Sequence, residues 1–93
     1  MHDRILKTMR EAIRNRQYIM TLHAEEEMND DNLSIFDIEN IVLTGEIIER
    51  QRDIITKESK YLIEGKSFSG VLIIVVAKLS ITGKLVIITV YKI

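Results

Sequence analysis

The hydrophobic period of this chain changes at Gly45, and that change constrains the fold more than any other feature. Before it, apolar residues recur every three or four positions; after it, they alternate or run in short β-branched stretches. From Asp3 to Arg16, Ile5, Leu6, Met9, Ala12 and Ile13 share one helical stripe of about four turns, with Arg4, Lys7, Arg10, Arg14 and Arg16 on the other surfaces. Gln17 to Met20 reads as a short extended piece. Thr21 then caps a second helix whose first turn places Glu25, Glu26 and Glu27 near the positive end of the helix dipole, and Asn32 stops it. Ser34 and Asp37 have capping-box spacing ahead of a third stripe, Ile35, Ile38, Ile41 and Val42, which Gly45 closes as a C′ residue.

Beyond Gly45 the spacing predicts four strands. Ile47 to Asp53 and Lys60 to Gly65 flank the polar turn "TKES", "GKSFSG" is a glycine-bounded loop, and Val71–Ser80 with Lys84–Lys92 form a hairpin around Thr82-Gly83. Strands joined this closely form an antiparallel meander. The expected architecture is α+β, one domain over residues 1–93, with N-terminal helices packed on one face of a four-stranded antiparallel sheet. An even-length hairpin loop would place Val71, Ile73, Val75, Ala77, Leu79, Val86, Ile88 and Val90 under the helices. Leu72, Ile74, Val76, Lys78, Ser80, Leu85, Ile87, Thr89, Tyr91 and Ile93 would then form the other face. A face of that mixed character is covered by other chain, docked on a partner, or a site.

Charge is segregated along the chain. Residues 1–16 carry a balance of +3, residues 17–49 one of −9 with no base at all, and residues 50–93 one of +5, for a net −1. A near-neutral total argues against non-specific nucleic-acid binding, while leaving a basic surface on the C-terminal half. With no cysteine there is neither disulfide nor thiolate metal site, and nothing points to an oxidising compartment. The N-terminus reads as neither signal peptide nor membrane anchor, and "VLIIVVA" is too short to span a bilayer. The expected location is the cytoplasm.

His23 is the first residue to weigh for chemistry. Its imidazole titrates near neutrality and suits general acid or base work, with Glu26 and Glu27 three and four residues on to fix its tautomer. The plainer reading is a half-buried histidine at a helix start. His23 with Glu27 and Asp30 or Asp31 is a poor metal set, lacking an H-E-x-x-H pattern. No G-x-S-x-G elbow or phosphate-binding glycine loop exists. The remaining candidates are Arg50, Arg52, Lys60, Tyr61, Lys78, Tyr91 and Lys92. Metal-free RNA cleavage needs a base for the 2′-hydroxyl, an acid for the leaving 5′-oxygen and cations for the phosphorane, and these residue types supply all three. The plainer reading is that the tyrosines are strand aromatics and the bases solvated edge charges. Lys78 and Tyr91 share a face but stand about 13 Å apart along the strand.

The order "YIMTLHAEEEM", "LSIFDIENIVLTGEIIERQ", "KYLIEG" and "VVAKLSITGKLVIITVY" resembles a bacterial domain-of-unknown-function family in which a His-Ala pair opens a helix and a Thr-Val-Tyr strand ends the chain. That family is similar to RelE/ParE-like toxins, with members encoded beside antitoxins of the YgiT/MqsA zinc-finger type. The resemblance implies a toxin-like, metal-independent endoribonuclease that acts on mRNA without a cofactor. His23 falls at the family histidine, and Thr89 and Tyr91 at the terminal strand. The implied roles are acid/base for His23, proton carrier or base-stacking group for Tyr91, and phosphate cations for Lys78 and Arg50, with Arg50, Arg52, Lys60 and Tyr61 contacting RNA. Many relatives carry arginine where this chain has Glu27, an anion in place of a cation. A non-catalytic module, docked on a zinc-finger antitoxin or on a second copy of itself, is the alternative.

Overall fold

Helix α1 (Asp3–Arg14) is followed by strand β1 (Tyr18–Met20), helices α2 (Leu22–Asp30) and α3 (Ile35–Thr44), and strands β2 (Glu46–Arg52), β3 (Ser59–Lys66), β4 (Leu72–Leu79) and β5 (Leu85–Lys92). The computed structural model describes residues 2–93. All three helices pack on one side of a single sheet of order β1-β5-β4-β3-β2. The α+β class and the helix-on-sheet layering agree with the sequence. The strand count does not: the sheet has five strands and is mixed, because β1 pairs parallel to β5, Tyr18 opposite Leu85 and Met20 opposite Ile87. A three-residue strand is too short to show a period. It forms because α1 ends with Arg16 in the left-handed region (φ 57°), which turns the chain so that Gln17 carbonyl accepts from Leu85 N–H at 3.0 Å.

The helix ends follow their sequence signals in three of four cases, the Thr21 cap of α2 among them. Asn32 takes a positive φ of 55°, and its neighbours complete a Schellman motif: Leu33 N–H donates to Met28 carbonyl and Asn32 N–H to Asn29 carbonyl. Leu33 and Met28 both join the core. At the start of α3 the capping box is complete, with Ser34 and Asp37 side chains each bonding the other's backbone N–H. Gly45 is the exception. It is the C-cap itself, in an extended conformation (φ −83°), so left-handed freedom is not its purpose. A Cβ there would lie 2.4 Å from Glu64 carbonyl oxygen, and one on Gly65 would lie 3.1 Å from Ile41 Cγ2. These two glycines let the last turn of α3 rest directly on β3. Arg10 of α1 closes the same end by donating to Val42 and Gly45 carbonyls at 3.1 and 2.8 Å, in place of the basic last turn that α3 lacks.

The core is one cluster between helices and sheet: Met9, Ala12 and Ile13 of α1, Ala24 of α2, and Ile38, Ile41 and Val42 of α3, against Tyr61, Ile63, Ile73, Val75, Ala77, Leu85, Ile87 and Val90. Each fully buried aliphatic side chain contributes about 1.5–3 kcal/mol relative to exposure. The membership corrects the expected faces of β5. Val76 stands opposite Thr89 but Ala77 opposite Ile87, so Ile88 is an extra residue and the alternation inverts there. Leu85, Ile87 and Val90 therefore face the helices, where Val86, Ile88 and Val90 were expected. A second bulge places Ile48 between Ile47 and Glu49 of β2. On the open face, Leu62, Ile74 and Val76 form a small buried cluster of their own. Among the described residues, no helix is long and apolar enough to cross a membrane.

Candidate functional site

The functional geometry begins with a shortfall of strand. β1 covers β5 only from Leu85 to Ile87, so beyond the bulge the outward backbone groups of β5 face no strand. Buried peptide groups must still find partners, and α2 supplies them from side chains. Thr21 N–H first closes the β1 ladder on Ile87 carbonyl at 3.0 Å, and its hydroxyl then donates to Ile88 carbonyl at 2.9 Å. The same hydroxyl accepts from Ala24 N–H at 3.1 Å as the cap of α2. One turn on, Glu27 Oε1 accepts from the N–H of the fully buried Val90 at 3.1 Å. Two side chains thus replace a strand and lay α2 along the upper half of β5.

His23 stands on this scaffold. Its Nε2 lies 3.2 Å from Glu27 Oε1, the oxygen that also takes Val90 N–H, and its side chain is 67% exposed. Of the two glutamates that could hold the ring, Glu27 is the one that does. The imidazole is therefore neither sealed in the core nor loose: one nitrogen is held by a carboxylate that a strand fixes in turn, and the other side of the ring meets solvent. Thr89 and Tyr91, on either side of Val90, point to the open face opposite Val76 and Ile74. Among the described residues no three His, Asp or Glu side chains converge as a metal set would.

The other sequence candidates divide between the two faces. Lys78 lies on the open face opposite Val86, its Nζ 3.0 Å from Glu58 Oε2, and Lys60 lies beside it on β3. Both line a groove of about 320 Å³ beneath the 53–58 turn, floored by Val86 and Ile88. Tyr61 faces the other way: it is buried in the helix-side core with its ring edge-on to His2, centroids 5.9 Å apart. Arg50 pairs with Tyr61 and Arg52 with Ser59, so the Ile48 bulge puts both guanidinium-bearing residues on the helix side of an exposed strand. The open face thus gathers Lys60, Lys78 and Tyr91 and leaves Arg50, Arg52 and Tyr61 behind, while His23 stands on α2 and reaches the β5 edge through Glu27. Tyr61 shares parity with Ile63, which was the sequence signal for its burial.

Three polar groups here were not singled out from sequence. Glu58 neutralises Lys78 from the turn. Asp53 shapes that turn by accepting from Ile55 and Thr56 N–H, and these bonds, Thr56 first, hold its carboxyl below the usual range. Tyr18 donates to Glu39 Oε2 across the β1–α3 contact, and burial together with that bond pushes its phenol up to about 12.

No curated protein and no solved structure matches this chain. A family model described as a domain of unknown function, DUF4258, matches residues 20–92, from the end of β1 through β5, and so takes in α2, both bulges and the open face of β2 to β5; the chain belongs to the DUF4258 family.

Proposed function

We propose that this protein is the toxin-like component of a type II toxin–antitoxin pair, a RelE/ParE-like, metal-independent endoribonuclease acting on mRNA in the cytoplasm and restrained by a zinc-finger antitoxin. The observation that carries the reading is the chain of contacts His23–Glu27–Val90, which ties an exposed imidazole, through Glu27, to the β5 residue that precedes the open-face tyrosine. With Nε2 held by Glu27, the ring has its second nitrogen available to take a proton from a 2′-hydroxyl. The 2′-oxygen then attacks the adjacent phosphorus, and the departing 5′-oxygen takes a proton from Tyr91. The products are a 2′,3′-cyclic phosphate and a 5′-hydroxyl, with no cofactor consumed. Lys78, about 13 Å from Tyr91 along the strands, meets a neighbouring phosphate rather than the one being cut. Cleavage of mRNA by the purified protein in the presence of a chelator is the test. His23→Ala should lower the rate by about 10²–10⁴-fold while leaving the unfolding transition in place. Equal cleavage by mutant and wild type would remove the assignment.

A second reading, a non-catalytic docking module, is favoured by the exposed apolar groups of the same face, Ile19 (52% exposed), Leu72 and Tyr91. On that reading the face binds a zinc-finger antitoxin or a second copy of the chain. Tyr91→Ala then lowers the mass of the complex in solution and changes no reaction.

A further inference from the structure

One row across the open face breaks a local rule of sheet construction. Gln51 of β2 pairs with Lys60, Lys78 pairs with Val86, and Val86 pairs with Ile19 of β1. The β3–β4 ladder ends at the Tyr61–Ala77 pair, and Lys60 and Lys78, the next residues on the two strands, line one groove on the open face. Like charges brought together on neighbouring strands are destabilising, and local conflicts of this kind concentrate at functional positions. The conflict is relieved on one side only. Glu58 reaches in from the turn to within 3.0 Å of Lys78 Nζ, while Asp53 feels Lys60 only at longer range. Glu58 is itself more than half exposed, and among the described residues its carboxylate bonds the Lys78 ammonium alone. The groove beneath it has the volume of a small-ligand site and changes character along the row, from two amines faced by the Asp53 and Glu58 carboxylates to the aliphatic floor of Val86 and Ile88.

We propose that this groove is a phosphate subsite for a single-stranded polynucleotide, one phosphate bridging Lys60 and Lys78 with the adjoining nucleoside over Val86, and that the Glu58 carboxylate occupies the phosphate's place in the free protein. The inference deepens the ribonuclease reading, on which it rests, by naming where the strand is held beside the bond that is cut. An anion between the two amines removes the like-charge conflict, and a carboxylate held by one amine is readily displaced by it.

The probe is a fluorescent 2′-deoxy oligonucleotide, which lacks the hydroxyl needed for cleavage, titrated against the full chain by anisotropy over a salt series. Lys60→Gln and Lys78→Gln should each weaken binding about tenfold and flatten the plot of log K against log salt by about 0.7. Glu58→Gln should tighten binding severalfold, the reverse of what a brace does. If the oligonucleotide binds with these effects and wild type cuts no RNA, the subsite stands and the ribonuclease reading fails. If RNA is cut while both lysine variants leave the oligonucleotide Kd and the RNA KM unchanged, the ribonuclease stands and the subsite is wrong. Absence of binding, or weaker binding by Glu58→Gln, also overturns it.

Discussion

Helices α2 and α3 lie on the same face of the sheet, α2 over β5 and α3 over β3 and β4, and are held by different physics. α3 buries Ile38, Ile41 and Val42 completely, closes against β3 over two glycines, and is capped by a box. α2 buries only Ala24 among its own residues, and two side-chain hydrogen bonds to β5, from Thr21 and to Glu27, tie it down. The packed helix is part of the fold's foundation; the tied helix presents His23. An element fixed by a few directional bonds can be repositioned or disarmed without unfolding the domain, which suits the element that carries chemistry and would not suit the one that carries the core. The contrast can be broken by mutation at graded expense.

The largest effect is expected on the packed side. Ile41→Ala removes a side chain that touches both the core and Gly65, and should destabilise the protein by about 2–5 kcal/mol in urea unfolding. An effect within 1 kcal/mol would show that α3 is not the anchor described. Next comes Glu27→Ala. It leaves the buried Val90 N–H without its acceptor, at about 1–3 kcal/mol, and releases His23 as well. Hydrogen exchange should quicken at Val90 while the amides of α3 stay protected; uniform quickening would mean that α2 and α3 are one unit after all. Smaller still is the comparison of caps. Ser34→Ala loses a local cap on α3 for about 1 kcal/mol. Thr21→Ala loses both a cap and the bond to Ile88 carbonyl, so its loss should be the greater of the two by thermal unfolding. The reverse order would say that Thr21 does not join helix to strand.

The same contrast explains what the sequence disclosed. Periodicity reports burial, so α1, α3 and the strands β2 to β5 were legible to within a residue or two, as was the capping box of Ser34 and Asp37. β1 was legible only as an extended piece, Gln17 to Met20; its place in the sheet was not, because three residues carry no period and its parallel pairing depends on a left-handed Arg16. The faces of β5 were misread because "VIITV" satisfies either alternation, and only the three-dimensional bulge at Ile88 chooses between them. His23 and Glu27 were legible as neighbours on one helical face. The partner that gives Glu27 its purpose, Val90 N–H, is a backbone group 63 positions away in the chain and leaves no mark on composition. Polar tethers between distant backbone and side chain are invisible to periodicity, so the helix whose position matters most to function was the one least specified by pattern.

The smallest predicted effect separates the two caps by charge. Both helices start on a hydroxyl cap, Thr21 for α2 and Ser34 for α3, but α3 adds the Asp37 carboxylate, which accepts from Ser34 N–H. The Asp37 carboxyl is held below its usual 3.8 by the backbone N–H of Ser34 and then by that of Phe68, which anchors the β3–β4 loop to the helix. A carboxyl with a depressed folded-state value contributes stability that is fully present above its unfolded value and is lost as pH falls through the folded one. The window is therefore below pH 3.8, and neutral buffers will not reveal it. Thermal unfolding of wild type and Asp37→Asn should differ at neutral pH and converge on acidification through that window, with the convergence local to the α3 start and the 66–71 loop by exchange. A gap between the two proteins that persists unchanged to pH 2 would mean that Asp37 acts by shape rather than by charge, and that both helices begin on caps of the same physical kind.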